Sequence, residues 1–167
     1  MARFPLPMSI LSLLSMGAIF GFFYAWVCST MWGLDATDPR TAIAAMQAMN
    51  SSVRNTVFFP AFFLTPIILG ATAFIAARQN RRKSAVHFGL AAILYIISAF
   101  LITATVNVPM NEALAEVAVP TDIGSAHDIW QDYSASWQVW NLIRTIVSGV
   151  CLTLTGLGIY FLNSESV

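Results

Sequence analysis

One arginine near the start of the last hydrophobic segment has the type and position that chemistry at a membrane boundary would require. Arg144 is followed by an almost wholly apolar run to Leu162, so its guanidinium is expected at or just inside the edge of the hydrocarbon. A charge at that depth is costly unless it has a partner or a watery cavity, and such residues mark functional sites by default. Arg144 is therefore the centre of a candidate functional site.

Aromatic and polar residues surround Arg144 at helical spacing. They recur every three or four residues, which places them on one face of a helix, with Trp140 at its edge. An aromatic face beside a cation predicts a flat pocket. The alternative is a belt of Trp and Tyr at the membrane interface, which forms for packing reasons alone. The face consists of Trp130, Tyr133, Trp137, Asn141, Arg144 and Ser148.

A second polar cluster lies at the end of the third hydrophobic segment, where Asn107 and Asn111 flank Pro109. Proline has no amide N–H and disfavours helix in the preceding residue, so we expect the span to end or kink here. Thr103 shares a face with both asparagines if the helix persists. Counting inward from the outer ends places Asn107 at the depth of Arg144 and predicts a contact between them. A capped helix end with solvated amides is the alternative.

Two side chains near this cluster are suited to proton transfer. Glu112 and His127 are titratable side chains that can exchange a proton with a ligand only within hydrogen-bond reach of it. Solvated loop positions are the alternative for both. The other histidine, His87, is expected on the opposite side of the membrane, which disfavours a bis-histidine haem. No phosphate-binding or metal-binding motif is present, so we expect no cofactor.

Composition indicates the element that must position these residues. The chain of 167 residues is 57% hydrophobic and 10% charged, with a mean hydropathy of +0.72, whereas soluble domains carry about 25% charged residues. We expect an all-α integral membrane four-helix bundle forming a single domain over residues 1–167, and the zero net charge argues against nucleic-acid partners. The oligomeric state is left open. The spans are expected at about 8–31, 56–77, 86–106 and 140–162, each near the roughly 20 residues needed, with the fourth helix extended outward from about 127.

The charge distribution predicts an orientation. Four basic residues lie between positions 78 and 83, and the positive-inside rule places that loop and both termini in the cytoplasm. The connections 33–55 and 107–139 then face outward. In the first of them, Asp38 followed by Pro39 is a helix-start signal, which predicts a short interfacial helix. The compact chain favours a bacterial inner membrane.

Small residues and prolines predict helix contacts inside the bundle. Gly17, Gly21 and Ala25 form a small-xxx-small series that permits close backbone approach. Pro66 removes one helical hydrogen bond and frees the carbonyl of Phe62, so we expect a kink there. The aromatic rings around it face lipid or form the wall of a pocket; they belong to Phe58, Phe59, Phe62 and Phe63.

Three short motifs in this order carry a family resemblance. They are Ala-Met-Gln-Ala-Met-Asn at 45–50, Asn-x-Pro-x-Asn at 107–111, and Trp-x-x-Trp-Asn-x-x-Arg at 137–144. With the four spans, they make the chain resemble the anthrone oxygenase-like family of small membrane proteins. That resemblance implies oxidation of an anthrone by dioxygen without metal or flavin, with dioxygen as the possible co-substrate.

The resemblance also implies roles for individual residues. Arg144, Asn107 and Asn111 would stabilise negative charge, and Glu112 would act as the base. The lipophilic aromatic or quinone-like substrate would lie in an outward-facing pocket. One alternative is a module that binds or transports a lipophilic small molecule without changing it, and another is a structural membrane subunit. The residues expected to contact the substrate are Trp130, Tyr133, Trp137, Trp140, Asn141 and Asn50.

Overall fold

A computed structural model describes the backbone of residues 5–164 and the side chains of residues 6–162. The four N-terminal and three C-terminal residues lie outside the described range. All regular elements within that range are helical. They are α1 (Pro5–Ala25), α2 (Met31–Asp35), α3 (Pro39–Ser52), α4 (Phe58–Arg78), α5 (Arg82–Tyr95), α6 (Val108–Ala115) and α7 (Ile123–Ser164).

Several of these helices join into continuous rods through π-helical turns. A π turn at Trp26–Thr30 joins α1 to α2, and π turns at Ile96–Leu101 and Thr103–Asn107 join α5 to α6. The result is four helices long and apolar enough to span a membrane. The expected all-helical integral membrane bundle is confirmed. The spans run over Leu6–Asp35, Phe58–Arg78, Arg82–Ala115 and Ile123–Leu162.

Of the two outcomes expected at Pro109, an end or a kink of the third span, the end does not occur. The helix continues past Pro109 to Ala115. Pro109 directly follows the π turn that ends at Asn107. That turn interrupts the regular helical hydrogen bonding just before the proline, so the helix accommodates its missing N–H. The fourth helix begins at Ile123, which confirms its expected extension beyond the apolar run.

The four spans form a closed ring. The α1 and α5 helices each pack against both α4 and α7, and α3 packs against α7 and α6 across one end. We call that end the acidic end, because its carboxylates include Glu112, Glu116, Asp122, Asp128 and Asp132. The opposite end, at the turn between α4 and α5, is the basic end. The halves of the bundle next to these ends are the cavity half and the packed half, respectively.

The short helix α3 begins as the sequence predicts. Asp38 is its N-cap, and its carboxylate accepts a hydrogen bond from the backbone N of Arg40 at 2.9 Å. Hydrogen bonds from the Arg40 side chain and backbone lower the pKa of Asp38 to about 2. The face of α3 that includes Ile43, Met46 and Asn50 is buried, so α3 covers the acidic end of the bundle.

The packed half is held by a hydrophobic cluster and by hydroxyl pairs between helices. Ser12 Oγ and Thr72 Oγ1 lie 2.9 Å apart between α1 and α4. Ser84 Oγ donates to the carbonyl of Gly158 at 2.8 Å between α5 and α7. Buried hydroxyls are stable only when paired, and these pairs fix the register of neighbouring spans.

Close approach of a glycine occurs in α7 rather than where the sequence predicts it. A Cβ placed on Gly17 or Gly21 would meet nothing within 4 Å, so the predicted contact along α1 is wrong. A Cβ on Gly158 would lie 2.8 Å from the ring of Phe88. The small-residue pattern is necessary for close packing but does not say which face meets a neighbour.

The break in hydrogen bonding at Pro66 is resolved by another helix. Proline leaves the carbonyl of Phe62 without its helical donor, as predicted. The hydroxyl of Tyr95 on α5 donates to that carbonyl at 2.7 Å. Tyr95 is fully buried, so this bond joins α4 to α5 at the boundary between the two halves.

Candidate functional site

A cavity of about 350 Å³ lies inside the cavity half. It takes residues from all four spans and from α3, and nearly half of its lining residues are aromatic. The four phenylalanines at the start of α4 all belong to it, so they form a pocket wall, one of the two alternatives left open by the sequence. The aromatic residues that line it are Phe22, Phe23, Trp26, Phe58, Phe59, Phe62, Phe63, Phe100 and Trp137.

Arg144 borders this cavity as a buried cation with neutral partners. It is 4% exposed, and its two terminal nitrogens donate to Thr103 Oγ1 and Asn141 Oδ1, each at 3.0 Å. Its Nε atom is buried with no hydrogen-bond partner. No carboxylate among the described residues forms an ion pair with it. A buried charge without a counter-charge is strongly unfavourable, so the site is electrostatically prepared for an anion.

Two aromatic rings hold the guanidinium in place. Its carbon lies 4.6 Å from the ring centroid of Phe23 and 5.5 Å from that of Trp137. Cation–π contacts of this kind partly offset the loss of water around a charge. They stabilise the cation without supplying a negative charge, so the cation can still attract an anionic ligand.

Asn107 is the second incompletely bonded group in the cavity wall. It is 1% exposed, yet neither its Nδ2 nor its Oδ1 has a hydrogen-bond partner. Asn107 therefore makes no hydrogen bond to Arg144, and the expected contact between the two residues stays a prediction. Thr103, which precedes Asn107 on the same face, binds the guanidinium instead. Both Asn107 and Arg144 line the same cavity, although their unbonded atoms are shielded from solvent.

A hydrogen-bonded chain positions the other two asparagines. Asn111 Oδ1 accepts bonds from the Tyr133 hydroxyl at 2.8 Å and from Trp137 Nε1 at 3.1 Å. Asn50 Nδ2 donates to the Tyr133 hydroxyl at 3.3 Å. Asn50, Asn111 and Trp137 line the cavity, whereas Tyr133 lies behind them. Tyr133, expected in the wall, instead anchors the two amides that form it.

The remaining members of the aromatic stripe lie elsewhere. Trp130 Nε1 donates to Asp35 Oδ1 at 2.9 Å near the acidic end, away from the cavity. Trp140 is half-buried and does not line it. Asn141 is buried behind Arg144, where its Nδ2 donates to the carbonyl of Phe23 at 3.1 Å. The slot expected from four α7 aromatics is therefore built from Trp137 and the rings of the other helices.

The periodicity of α7 explains this difference. Residues seven positions apart share a helix face but lie about 10 Å apart along the axis. The face of α7 thus contacts α3 and α2 at Trp130 and borders the cavity only from Trp137 onward. A helical pattern identifies which face of a helix makes contacts. It does not identify the position along the helix axis at which a given neighbour is contacted.

The two candidate bases are in different places. Glu112 lines the rim of the cavity, where its carboxylate pairs with Arg54 at 3.2 Å and remains 57% exposed. His127 lies on the surface beside Asp128 and does not line the cavity. Within the described side chains, no group of three or more His, Cys, Asp or Glu residues is arranged to hold a metal ion.

Several residues that build the site carry no clear signal in the sequence. Phe23 belongs to an apolar aromatic run that could face lipid equally well. Arg54 is a lone cation before the second span, and its pairing with Glu112 depends on how α3 is placed. The π turns, which commonly occur at functional sites, bring Trp26, Phe100 and Asn107 to the cavity without any marker in the sequence.

Comparison with known proteins adds a family match. A family model described as anthrone oxygenase matches residues 53–154, more than half of the chain. The matched range contains Asn107, Asn111, Glu112 and Arg144. No curated protein and no solved structure matches the chain.

Proposed function

The chain belongs to the anthrone oxygenase family, and on that premise we propose that it is a membrane-embedded oxygenase that needs no cofactor. Its substrate would be a lipophilic aromatic compound of the anthrone or quinone type. The observation that carries the proposal is the buried cation Arg144 beside the unpaired amide of Asn107, both in the wall of an aromatic cavity.

The reaction requires little beyond a base and a site for an anion. Loss of one proton from the methylene group of an anthrone gives an electron-rich anion that can reduce dioxygen. One oxygen atom becomes the new carbonyl, and the other leaves as water with the two methylene hydrogens. The carbon loses four electrons and dioxygen gains four, so the conversion to an anthraquinone is balanced without another reductant.

The cavity wall supplies donors where negative charge would develop on the substrate oxygen. The Nε–H of Arg144 and the Nδ2 group of Asn107 have no protein acceptor, and because both are shielded from solvent, the two side chains would have to turn toward the cavity to reach the substrate. Donors fixed in a water-poor site stabilise an oxyanion more strongly than water does, and losing one costs about 100- to 1,000-fold in rate. The flat rings of Phe23 and Trp137 would hold the substrate plane beside these donors.

Glu112 is the proposed base. It lines the rim of the cavity, and half of its side chain is accessible, so a proton taken from the substrate can pass on to solvent. In the structure its carboxylate is paired with Arg54. This role requires the carboxylate to leave or share its ion pair as it takes the proton.

The decisive assay is oxygen uptake by the full chain in lipid nanodiscs with anthrone as substrate, corrected for spontaneous oxidation. Arg144→Met should lower the enzyme-dependent rate about 100-fold or more, because it removes the donor and the charge. Arg82→Met, which removes an exposed cation at the basic end, is the matched control and should retain the rate. Equal rates for the two variants would contradict the proposal.

A non-catalytic binding module is the second candidate, because Glu112 is already paired with Arg54 in the structure. Glu112→Gln separates the two functions. An enzyme should bind the product anthraquinone normally in this variant but lose most of its oxygen uptake. A binding module should be stabilised against heat by anthraquinone in both forms and consume oxygen in neither.

A further inference from the structure

For two amides in the cavity wall, a residue that can only donate determines which end of each side chain is the oxygen and which is the nitrogen. The indole Nε1 of Trp137 lies 3.1 Å from one end of the Asn111 side chain. An indole N–H has no acceptor capacity, so that end must be the oxygen. The Tyr133 hydroxyl also lies 2.8 Å from this oxygen and must donate its single hydrogen to it.

The same reasoning extends to Asn50. Because the Tyr133 hydroxyl has donated its hydrogen to Asn111, it can only accept from its other neighbour. Asn50 therefore presents its NH₂ group to Tyr133, at 3.3 Å. The end of each amide that remains for a ligand is thereby defined: Asn111 offers its Nδ2 donor and Asn50 its Oδ1 acceptor.

Both asparagines line the cavity, and neither free end is hydrogen-bonded to another described residue. The two amides are joined through the Tyr133 hydroxyl, so they belong to one part of the cavity wall, which we call the donor–acceptor edge. A ligand at this edge meets one amide that can donate and one that can accept.

We propose that Tyr133 and Trp137 act as positioning residues that fix this donor–acceptor edge, and that Asn50 selects ligands that carry a free hydroxyl together with an acceptor oxygen. The hydroxyl donates to Asn50 and the acceptor oxygen accepts from Asn111. The flat aromatic frame of such a ligand rests on the proposed function. The polarity of the edge follows from the hydrogen bonds alone.

The test compares two stable probes, 2-hydroxyanthraquinone and anthraquinone, by their Kd values for the full chain in nanodiscs. The hydroxyl at position 2 has no carbonyl of its own molecule within reach, so its hydrogen is free for donation. The wild-type protein should prefer the hydroxylated probe about tenfold, the ratio that one additional hydrogen bond of ordinary net strength gives. Asn50→Leu should lower the ratio to about one, because the acceptor is lost. Tyr133→Phe should lower it as well, because Asn50 is then free to turn its amide.

A control variant separates selection from general damage to α3. Gln47 lies on the same helix, and its amide donates to the carbonyls of Leu114 and Val117 at 2.8 and 2.9 Å, outside the cavity. Gln47→Leu should lower the melting temperature but leave the ratio of Kd values unchanged. A merely structural role for Asn50 and Tyr133 would give the same result as this control.

The possible outcomes distinguish this inference from the proposed function. An unchanged ratio in both Asn50→Leu and Tyr133→Phe would overturn the inference, as would a wild-type protein that binds neither probe or shows no preference. A tenfold preference that the two variants abolish, in a protein that never consumes oxygen, would support the edge and refute the oxygenase. Oxygen uptake by a protein that shows no preference between the probes would support the oxygenase and refute the donor–acceptor edge.

Discussion

The packed half and the cavity half of the bundle differ in whether their buried polar groups have hydrogen-bond partners. In the packed half, the hydroxyls of Ser12 and Thr72 pair with each other, and that of Ser84 pairs with a backbone carbonyl. In the cavity half, Asn107 has no partner for either polar atom, and Arg144 has none for Nε. Within the four spans, the described residues with unsatisfied polar atoms therefore lie in the cavity half; one further unpartnered nitrogen, Arg81 Nη1, lies outside the spans in the turn at the basic end.

That difference indicates what each half is for. An unpaired buried polar group costs about 1–3 kcal/mol, and a charged one costs more. Such a cost around an aromatic cavity is consistent with groups kept available for a ligand, since sites often lower stability in exchange for function. The packed half, by contrast, provides the rigid frame that holds these groups in position.

The largest expected effects come from two buried asparagines with opposite bonding. Asn141→Leu should destabilise the ligand-free protein by about 2–3 kcal/mol, because it leaves the Phe23 carbonyl and a guanidinium nitrogen without partners. Asn107→Leu should raise stability by about 1 kcal/mol, because an unpaired amide is replaced by a side chain of similar volume. Thermal unfolding in detergent would measure both.

This test depends on the opposite signs of the two stability changes. If both variants lose stability to a similar extent, Asn107 has a partner in the protein, and the contrast between the halves disappears. The Asn107→Leu protein should also bind anthraquinone more weakly than the wild-type protein despite its higher melting temperature. Tighter binding would remove Asn107 from the proposed site.

A second prediction tests the close packing of the other half. Gly158→Ala should destabilise the protein by about 1–3 kcal/mol, because the new Cβ would lie 2.8 Å from the fully buried ring of Phe88. Gly156→Ala is the control on the same helix, where a Cβ meets nothing within 4 Å. It should be neutral or slightly stabilising, because alanine favours helix. Equal melting temperatures would show that α5 and α7 have room to separate.

The helices were predictable because the membrane imposes a simple rule. Runs of about 20 apolar residues must be helical to satisfy their own backbone, and Asp38 followed by Pro39 gave the start of α3 correctly. The end of the third span was not predictable from Pro109. A π turn directly precedes that proline. The pattern of side chains does not indicate where the hydrogen-bond register of a helix shifts.

The candidate site was predictable only in part for a related reason. Arg144 and Trp137 were identified because a charge or an indole at a membrane boundary is unusual in itself. Phe23 and the α4 phenylalanines were not assigned to the site, since aromatic residues serve equally well against lipid. Trp130 was assigned to the wrong surroundings, because helical spacing indicates which face of a helix a residue is on but not how deep in the bundle it lies.

A third prediction concerns the boundary between the halves. Tyr95→Phe should destabilise the protein by about 1 kcal/mol, because the Phe62 carbonyl loses the donor that replaces the missing N–H of Pro66. Pro66→Ala restores a helical N–H to that carbonyl. In the Pro66→Ala background, Tyr95→Phe should therefore cost much less. A double-mutant cycle with no coupling between the two positions would refute this account of the break in α4.

The smallest effect is expected at the cover of the cavity half, where α3 begins with an exposed charge pair. The pKa of Asp38 is lowered from 3.8 to about 2 by its hydrogen bonds with Arg40. A lowered pKa means that the charged form stabilises the folded state. This contribution is complete above the unfolded value and is lost as the pH falls through the folded one. Hydrogen exchange of α3 should therefore become faster in the wild-type protein between about pH 4 and pH 2.

Asp38→Asn isolates this contribution, because asparagine also caps helices but does not titrate in this range. The variant should already exchange faster in α3 at pH 5, and the two proteins should converge as the pH approaches 2. Exchange in α4 and α5 should be the same in both proteins throughout, since Asp38 contacts neither helix. A difference that persists at the lowest pH would mean that the carboxylate supports α3 by its shape and not by its charge. The cover of the cavity would then be as insensitive to acid as the packed half.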